Sequence, residues 1–195
     1  MQGLLKRVMR KYAQGELELA PVPTAPNPPP DIFQPWEICM TMNKNWAYNP
    51  ADEDWKSPND LIGNLVKIAS QGGNYLLNVG PGPDGTLPPQ AVERLQRIGE
   101  WVKVYGEAIY GSTYAGLPGT THGCYTAKEG VLYYHRFNWP CDGRIQLDNL
   151  PTTVSRVTLL DSGDSLPFRL RDGRLTVEVP RQPPHPAVSV LAVHP

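Results

Sequence analysis

The sequence predicts an α/β segment followed by an all-β segment. Between residues 36 and 111, two short apolar runs typical of strands alternate with two amphipathic patterns typical of helices. This order indicates parallel βα units. After residue 116, six short strand-like runs follow one another with turn sequences between them and no helical pattern, which indicates a small antiparallel β-sandwich. We therefore expect two domains, residues 1–115 and residues 116–195.

Four consecutive patterns predict the βα units. Residues 38–42 form a short apolar run bounded by polar residues, as in a buried strand. Ser57-Pro58-Asn59-Asp60 signals a helix start, because serine caps well and proline suits the first turn, and the helical pattern continues to Gly72-Gly73. Residues 75–79 predict a second buried strand. Residues 91–105 predict a second helix, whose buried side would consist of Val92, Leu95, Ile98, Trp101, Val102 and Tyr105.

The remaining elements are shorter. Residues 1–14 repeat apolar side chains at helical spacing, residues 16–20 alternate as in a strand, and the proline-rich residues 21–35 predict an extended linker. A second linker is predicted over residues 116–123. The strands of the β-rich part are predicted at residues 131–137, 144–147, 154–160, 168–170, 175–179 and 188–193.

Composition and charge exclude several classes of protein. The chain has 195 residues, of which 40% are hydrophobic and 19% charged, so a disordered protein is excluded. The formal net charge of −1 argues against a general binder of nucleic acid. The chain contains no apolar run of about 20 residues that would span a membrane, and its first residues carry charges where a signal peptide needs an apolar stretch.

Length and histidine spacing exclude two further possibilities. A complete (β/α)8 barrel needs about 250 residues, so such a barrel together with a second domain does not fit in this chain. The four histidines, His122, His135, His185 and His194, lack the spacing of metal ligands. We therefore expect no metal site and no cofactor.

Five segments within residues 36–111 together resemble one enzyme family. They are WEICMTMN at residues 36–43, NWAYN at 45–49, GGNYLLNVGP at 72–81, DGT at 84–86 and GEAIYG at 106–111. Their sequence and order resemble the α-L-fucosidases of glycoside hydrolase family 29. The resemblance departs from the family pattern at Ala47, usually glycine, and at Gly82, often threonine. It implies that the chain holds the terminal βα units of a (β/α)8-like barrel and a following β-sandwich, and that the substrate is a fucosylated glycan.

The resemblance implies retaining hydrolysis of an α-L-fucoside, a reaction that needs two carboxyl groups about 5 Å apart. The family's nucleophile is an aspartate on a strand before the matched segments, so we expect no nucleophile in this chain and no catalysis by the chain alone. Glu37, in the Trp-Glu motif, is the direct acid/base candidate, expected at a strand end where barrel enzymes keep catalytic groups. The alternative is a carboxylate that holds a loop. Glu18 is the second candidate, and its alternative is a solvent-facing residue of an alternating strand.

Two tryptophans are candidates for substrate binding. Trp46 is a candidate wall for the apolar face of the sugar, because flat aromatic rings pack on pyranose C–H groups; the alternative is plain loop packing. Trp36, in the Trp-Glu motif, is the second candidate. Asn78 interrupts an apolar run, and because a buried amide needs partners, we expect it to bond at the strand end rather than to contact substrate.

The chain is also compatible with a function of another class. A non-catalytic carbohydrate-binding or assembly module derived from a hydrolase would keep the aromatic loop between Asn45 and Trp55 without catalysis. For either function, the family resemblance suggests a periplasmic, extracellular or lysosomal location.

Overall fold

The computed structural model describes residues 36–150 and 153–195. Glu18 and the elements predicted within residues 1–35 lie outside these residues. The described chain is a mixed α/β structure in which sheets predominate. Its first part consists of β1 (Trp36–Thr41), α1 (Pro58–Ser70), β2 (Gly73–Asn78), α2 (Pro89–Tyr105) and a 3₁₀ turn (Gly106–Ala108). The strands that follow are β3 (Thr113–Tyr114), β4 (Gly123–Lys128), β5 (Val131–Arg136), β6 (Arg144–Leu147), β7 (Arg156–Leu159), β8 (Phe168–Arg171), β9 (Arg174–Glu178) and β10 (Ser189–His194).

The predicted βα order is confirmed. Strands β1 and β2 pair in parallel, with Trp36 opposite Gly73 and Thr41 opposite Asn78. Helix α1 begins where the sequence predicts: the backbone N–H of Asp60 donates to Ser57 Oγ at 3.1 Å, and the backbone N–H of Ser57 donates to Asp60 Oδ2 at 3.3 Å. This reciprocal capping box satisfies two backbone donors that the helix itself cannot.

The later strands form two antiparallel sheets. One has five strands in the order β3-β4-β5-β10-β7, and the other has three in the order β6-β9-β8. All six predicted runs became strands, within two residues at either end. Strands β3 and β4 were not predicted. The first four residues of β4 are all buried, so it lacks the apolar–polar alternation that marks a strand with one solvated face.

The five-stranded sheet is the middle layer of the described structure. On one face, Tyr134 and Leu191 share a core with Ile145 and Leu175 of the three-stranded sheet. On the other face, helices α1 and α2 pack through a second cluster that includes Ile62, Val66, Trp101, Tyr105, Tyr133 and Val190. The helices and the β-rich part therefore share one buried interface.

The predicted buried side of α2 is partly wrong. Trp101 and Tyr105 are buried, but Val92 and Leu95 are 37% and 39% exposed. In the first turn it is Ala91 that is buried, packed against Met42 and Leu61. Periodicity identifies residues that share a helix face, but the neighbouring elements decide which part of that face is covered. Within the described residues, no helix is both long and apolar enough to cross a membrane.

Candidate functional site

The carboxyl edge of the parallel pair carries the candidate site. Strands β1 and β2 both end there, and the long loop 42–57 follows β1. Loops at this edge carry the functional groups of barrel and open α/β enzymes. Trp46 and Tyr48 lie in the loop and are 43% and 42% exposed. Two aromatic rings are thus presented to solvent beside the strand ends.

Strand β2 and the residues after it hold this loop. Asn78 Nδ2 donates to the carbonyl oxygen of Trp46 at 2.7 Å, which confirms the prediction that this amide bonds at the strand end. Gly80 packs directly on the loop backbone, because a Cβ at this position would lie 2.6 Å from Tyr48 N and 2.7 Å from the carbonyl carbon of Ala47. No side chain fits in so small a gap without moving the backbone. The backbone that carries Trp46 is therefore fixed to β2.

Asp52 organises the inside of the loop. Its Oδ2 accepts hydrogen bonds from Lys44 N at 3.0 Å and Asn45 Nδ2 at 2.6 Å, and its Oδ1 accepts one from Asp54 N at 3.1 Å. Burial raises the pKa of Asp52, but these hydrogen bonds outweigh burial and leave the pKa below its ordinary value. The carboxylate is therefore ionised at neutral pH and is suited to holding the loop rather than to donating a proton.

Lys56 closes the loop at its far end. Its Nζ donates to the carbonyl oxygens of Thr41 at 2.8 Å and Asn43 at 3.2 Å, and its own carbonyl accepts Arg94 Nε at 2.6 Å. Burial lowers the pKa of Lys56, and the carboxylates of Asp54, Asp52 and Asp60 oppose that shift. Neither Asp52 nor Lys56 was among the predicted site residues. The signal in the sequence was the density of Asn and Asp, which bond to nearby backbone in turns.

Trp36 and Glu37 lie at the other end of β1. The ring of Trp36 packs over Gly73, where a Cβ would collide with Trp36 Cζ2, and Trp36 Nε1 donates to Gln71 O at 3.1 Å. Glu37 is the exposed second residue of β1, and its Oε1 is 3.9 Å from Cys39 Sγ. Glu37 and Thr41 are four residue steps apart along the strand, a distance of about 13 Å.

The structure therefore separates the predicted site residues. Trp46 lies at the carboxyl edge, whereas Trp36 and Glu37 lie at the amino edge. The expectation that Glu37 would lie at the catalytic edge is not met, because the Trp-Glu motif begins the strand instead of ending it. Within residues 36–150 and 153–195, no group of three His, Cys, Asp or Glu side chains is placed to share a metal ion.

Comparison with known proteins identifies two successive family matches. Residues 11–107 match the family described as Alpha-L-fucosidase, and residues 119–193 match the Alpha-L-fucosidase C-terminal domain. Human tissue alpha-L-fucosidase is 34% identical over 157 residues, which cover 76% of this chain and 34% of the human protein. The chain thus spans about a third of the length of the curated relatives it matches.

Solved structures give the same result. Alpha-L-fucosidase isoenzyme 1 from Paenibacillus thiaminolyticus is 33% identical with a TM-score of 0.77, and the similarity covers 82% of this chain and 39% of that one. A GH29 alpha-L-fucosidase from Bacteroides thetaiotaomicron is 31% identical with a TM-score of 0.74, and the similarity covers 82% of this chain and 37% of that one. That structure is a trapped covalent intermediate with 2-fluoro-fucosyl fluoride in a glutamate-to-glutamine mutant. The agreement of sequence, domain order and fold means that the chain belongs to the α-L-fucosidase family, glycoside hydrolase family 29.

Proposed function

We propose that this chain is part of a retaining α-L-fucosidase that releases fucose from glycoconjugates. The two successive family matches carry the proposal. In this view, residues 1–115 supply the last βα units of a (β/α)8-like barrel and residues 116–195 form a β-sandwich. The parallel pairing of β1 with β2 supports the first assignment, and the common core of the two antiparallel sheets supports the second.

A double-displacement mechanism fits the chemistry of the family. A retaining glycosidase forms a covalent glycosyl-enzyme intermediate on one carboxylate, while the second carboxyl group protonates the leaving oxygen and then activates water. The trapped covalent intermediate of the Bacteroides relative supports this route. We propose that the nucleophile is supplied by a part of the protein outside this chain.

We propose Glu18 as the acid/base and a structural role for Glu37. The position of Glu37 at the start of β1 carries this choice, since barrel enzymes place catalytic groups at the carboxyl edge of their strands. Glu18 precedes β1 in the chain and is the other candidate. The fucoside would then bind at the carboxyl edge beside Trp46. The hydrogen bond from Asn78 to the carbonyl oxygen of Trp46 fixes the backbone that carries this ring.

Replacing Glu18 by glutamine is expected to lower kcat/KM about a hundredfold on 4-nitrophenyl α-L-fucoside. A general acid contributes about 10²–10⁴-fold, and the loss lies at the low end of this range because nitrophenolate leaves readily without protonation. The assay uses the longest polypeptide encoded by the reading frame that contains this sequence. Three readouts identify the role: a smaller loss on a 2,4-dinitrophenyl fucoside, loss of the basic limb of the pH profile, and rescue by azide.

The matched control for that experiment is Glu37→Gln, which should change kcat/KM by less than about threefold and should show no azide rescue. The opposite result, with the three signatures at Glu37, would assign the acid/base to Glu37. A parent protein that releases nitrophenol from β-D-galactoside and not from α-L-fucoside would contradict the proposed function itself.

Trp46→Ala is expected to raise KM about tenfold with little change in kcat, because the variant loses about 1.4 kcal/mol of apolar contact with the sugar. Trp46→Phe should recover part of the loss, because a flat ring remains. Tyr110→Ala is the control, since Tyr110 is an exposed ring away from the strand ends. Unchanged KM in Trp46→Ala would show that Trp46 only packs the loop.

The alternative function, a non-catalytic carbohydrate-binding module, is favoured by one observation: Trp46 and Tyr48 present two exposed rings at one edge. NMR titration of the 195-residue chain with L-fucose tests it. Shifts confined to the loop 42–57, together with no hydrolysis by the longest polypeptide of the reading frame, would favour this alternative over the enzyme.

A further inference from the structure

The outer face of the three-stranded sheet is strongly polar. Along β6 and β9 the side chains alternate, so that Ile145, Leu147, Leu175 and Val177 are buried in the core while their neighbours point away from it. We call these outward residues, together with those of β8 and the adjoining turns, the arginine face. It lines a shallow open concavity and consists of Arg144, Gln146, Asp148, Asn149, Arg169, Arg171, Asp172, Arg174, Thr176 and Glu178.

The arginines of this face are incompletely paired. Arg174 Nε contacts Asp148 Oδ1 at 2.6 Å. Arg171 lies directly opposite Arg174 on the neighbouring strand, and like charges in such positions repel each other. Among the described residues, no carboxylate lies within 4 Å of the guanidinium groups of Arg144, Arg169 or Arg171. Glu178 lies opposite Arg144 on the neighbouring strand, and Asp148, Asp172 and Glu178 together balance three of the four arginines. The remaining positive charge is concentrated at Arg169 and Arg171 on β8, where a bound anion would relieve it.

Uncharged hydrogen-bonding groups lie between these charges. Gln146, Thr176 and Arg169 form one row across the three strands. An amide and a hydroxyl beside a guanidinium offer donors and acceptors to a ligand that carries hydroxyl groups as well as negative charge. No aromatic side chain belongs to the arginine face, so it has no platform for stacking nucleic-acid bases.

We propose that the arginine face binds a carboxylate-bearing glycan. The planar guanidinium of arginine matches a carboxylate in a bidentate pair, and Arg169 and Arg171, on the edge strand β8, would receive carboxylates while Gln146 and Thr176 bond to sugar hydroxyls. The face looks away from the five-stranded sheet and from the helices beyond it. It is therefore a binding site apart from the carboxyl edge of β1 and β2, and it goes beyond the proposed hydrolytic function.

Calorimetric titration of the 195-residue chain with a hyaluronan octasaccharide at about 50 mM NaCl tests the proposal. This probe alternates neutral sugars with glucuronates and carries no sulfate. Arg169→Gln/Arg171→Gln is expected to weaken binding at least tenfold, and raising NaCl to about 300 mM should weaken the parent strongly, because exposed charges are screened. Arg144→Gln, alone, should weaken binding about threefold.

The control Arg97→Gln/Arg156→Gln removes two exposed guanidinium groups from α2 and β7 and should leave the affinity within twofold of the parent. A carboxyl-reduced octasaccharide should not bind. Absence of hyaluronan binding, equal losses in the control, equal binding of the carboxyl-reduced sugar, or equal binding of a DNA oligonucleotide would each overturn the proposal. All substituted side chains are exposed, so unchanged melting temperatures will show that the variants remain folded.

Discussion

Replacing Trp101 by alanine is expected to lower the free energy of unfolding by about 3–5 kcal/mol. Trp101 is 1% exposed, stacks on Tyr105 with ring centroids 5.1 Å apart, and donates its indole N–H to the carbonyl oxygen of Val188 at 2.9 Å. Alanine would leave a cavity between α2 and the five-stranded sheet and a buried carbonyl without its donor. Urea denaturation of the 195-residue chain, followed by circular dichroism, measures the change.

The control for Trp101 is a large apolar residue on the same helix. Leu95 is 39% exposed, so Leu95→Ala should cost less than about 1 kcal/mol. A similar small loss in Trp101→Ala would mean that the helices contribute little to the stability of the sheet beneath them. In that case the proposed boundary between residues 115 and 116 would separate two independently stable units, despite the shared core.

Lowering the pH from about 7.5 to 4.5 is expected to reduce the free energy of unfolding by about 2–3 kcal/mol through His135 alone. His135 is fully buried on the helix side of the five-stranded sheet. Thr126 Oγ1 donates to Ala108 O at 2.7 Å and lies 2.8 Å from His135 Nε2. Because the hydroxyl proton is used for Ala108, Nε2 must carry the ring proton, and the buried Nδ1 has no hydrogen-bond partner among the described residues.

The sign of this effect follows from the direction of the pKa shift. Burial lowers the pKa of His135 from 6.5 to about 3, so the unfolded chain takes up a proton between these values while the folded chain does not. The stability that the neutral ring provides is therefore complete above pH 6.5 and is lost as the pH falls toward 3. Each pH unit within this window costs up to about 1.4 kcal/mol.

A non-titrating replacement isolates the contribution of His135. His135→Gln can still donate to Thr126. When the pH is lowered from 7.5 to 4.5, its free energy of unfolding is expected to fall by about 2–3 kcal/mol less than that of the parent. Some dependence should remain, because burial also lowers the pKa values of His185 and His194. His122→Gln, which removes an exposed imidazole, controls for the loss of a histidine. An unchanged pH dependence in His135→Gln would show that His135 takes up its proton equally in both states.

Local elements were predictable where a few neighbouring residues decide the structure. The start of α1 depends on Ser57 and Asp60, which cap the helix within four residues of each other, and the positions of six β-strands followed from alternation and turns. Strand β4 and the burial of α2 were mispredicted, because both depend on layers that are distant in sequence. The three-stranded sheet covers one face of β4 and the helices cover the other, while the five-stranded sheet buries Trp101 without reaching Val92.

The candidate site shows the same division. Trp46 was a candidate from the sequence, and the structure places it at the carboxyl edge. The prediction that Asn78 bonds at the strand end is confirmed. The three hydrogen bonds to Asp52 were not predicted from the sequence, since they depend on how the loop folds back on itself. Glu37 was placed at the wrong edge because a motif of adjacent residues does not indicate whether it begins or ends a strand.

By itself, the sequence determined the family, the order of the βα units and the positions of six later strands, because these depend on identity, spacing and neighbours along the chain. Only the tertiary structure decided which edge each candidate occupies, which helix residues are buried, and which arginines share one face of β6, β9 and β8. These properties depend on pairing between strands and on packing between layers, and both bring together residues far apart in the chain.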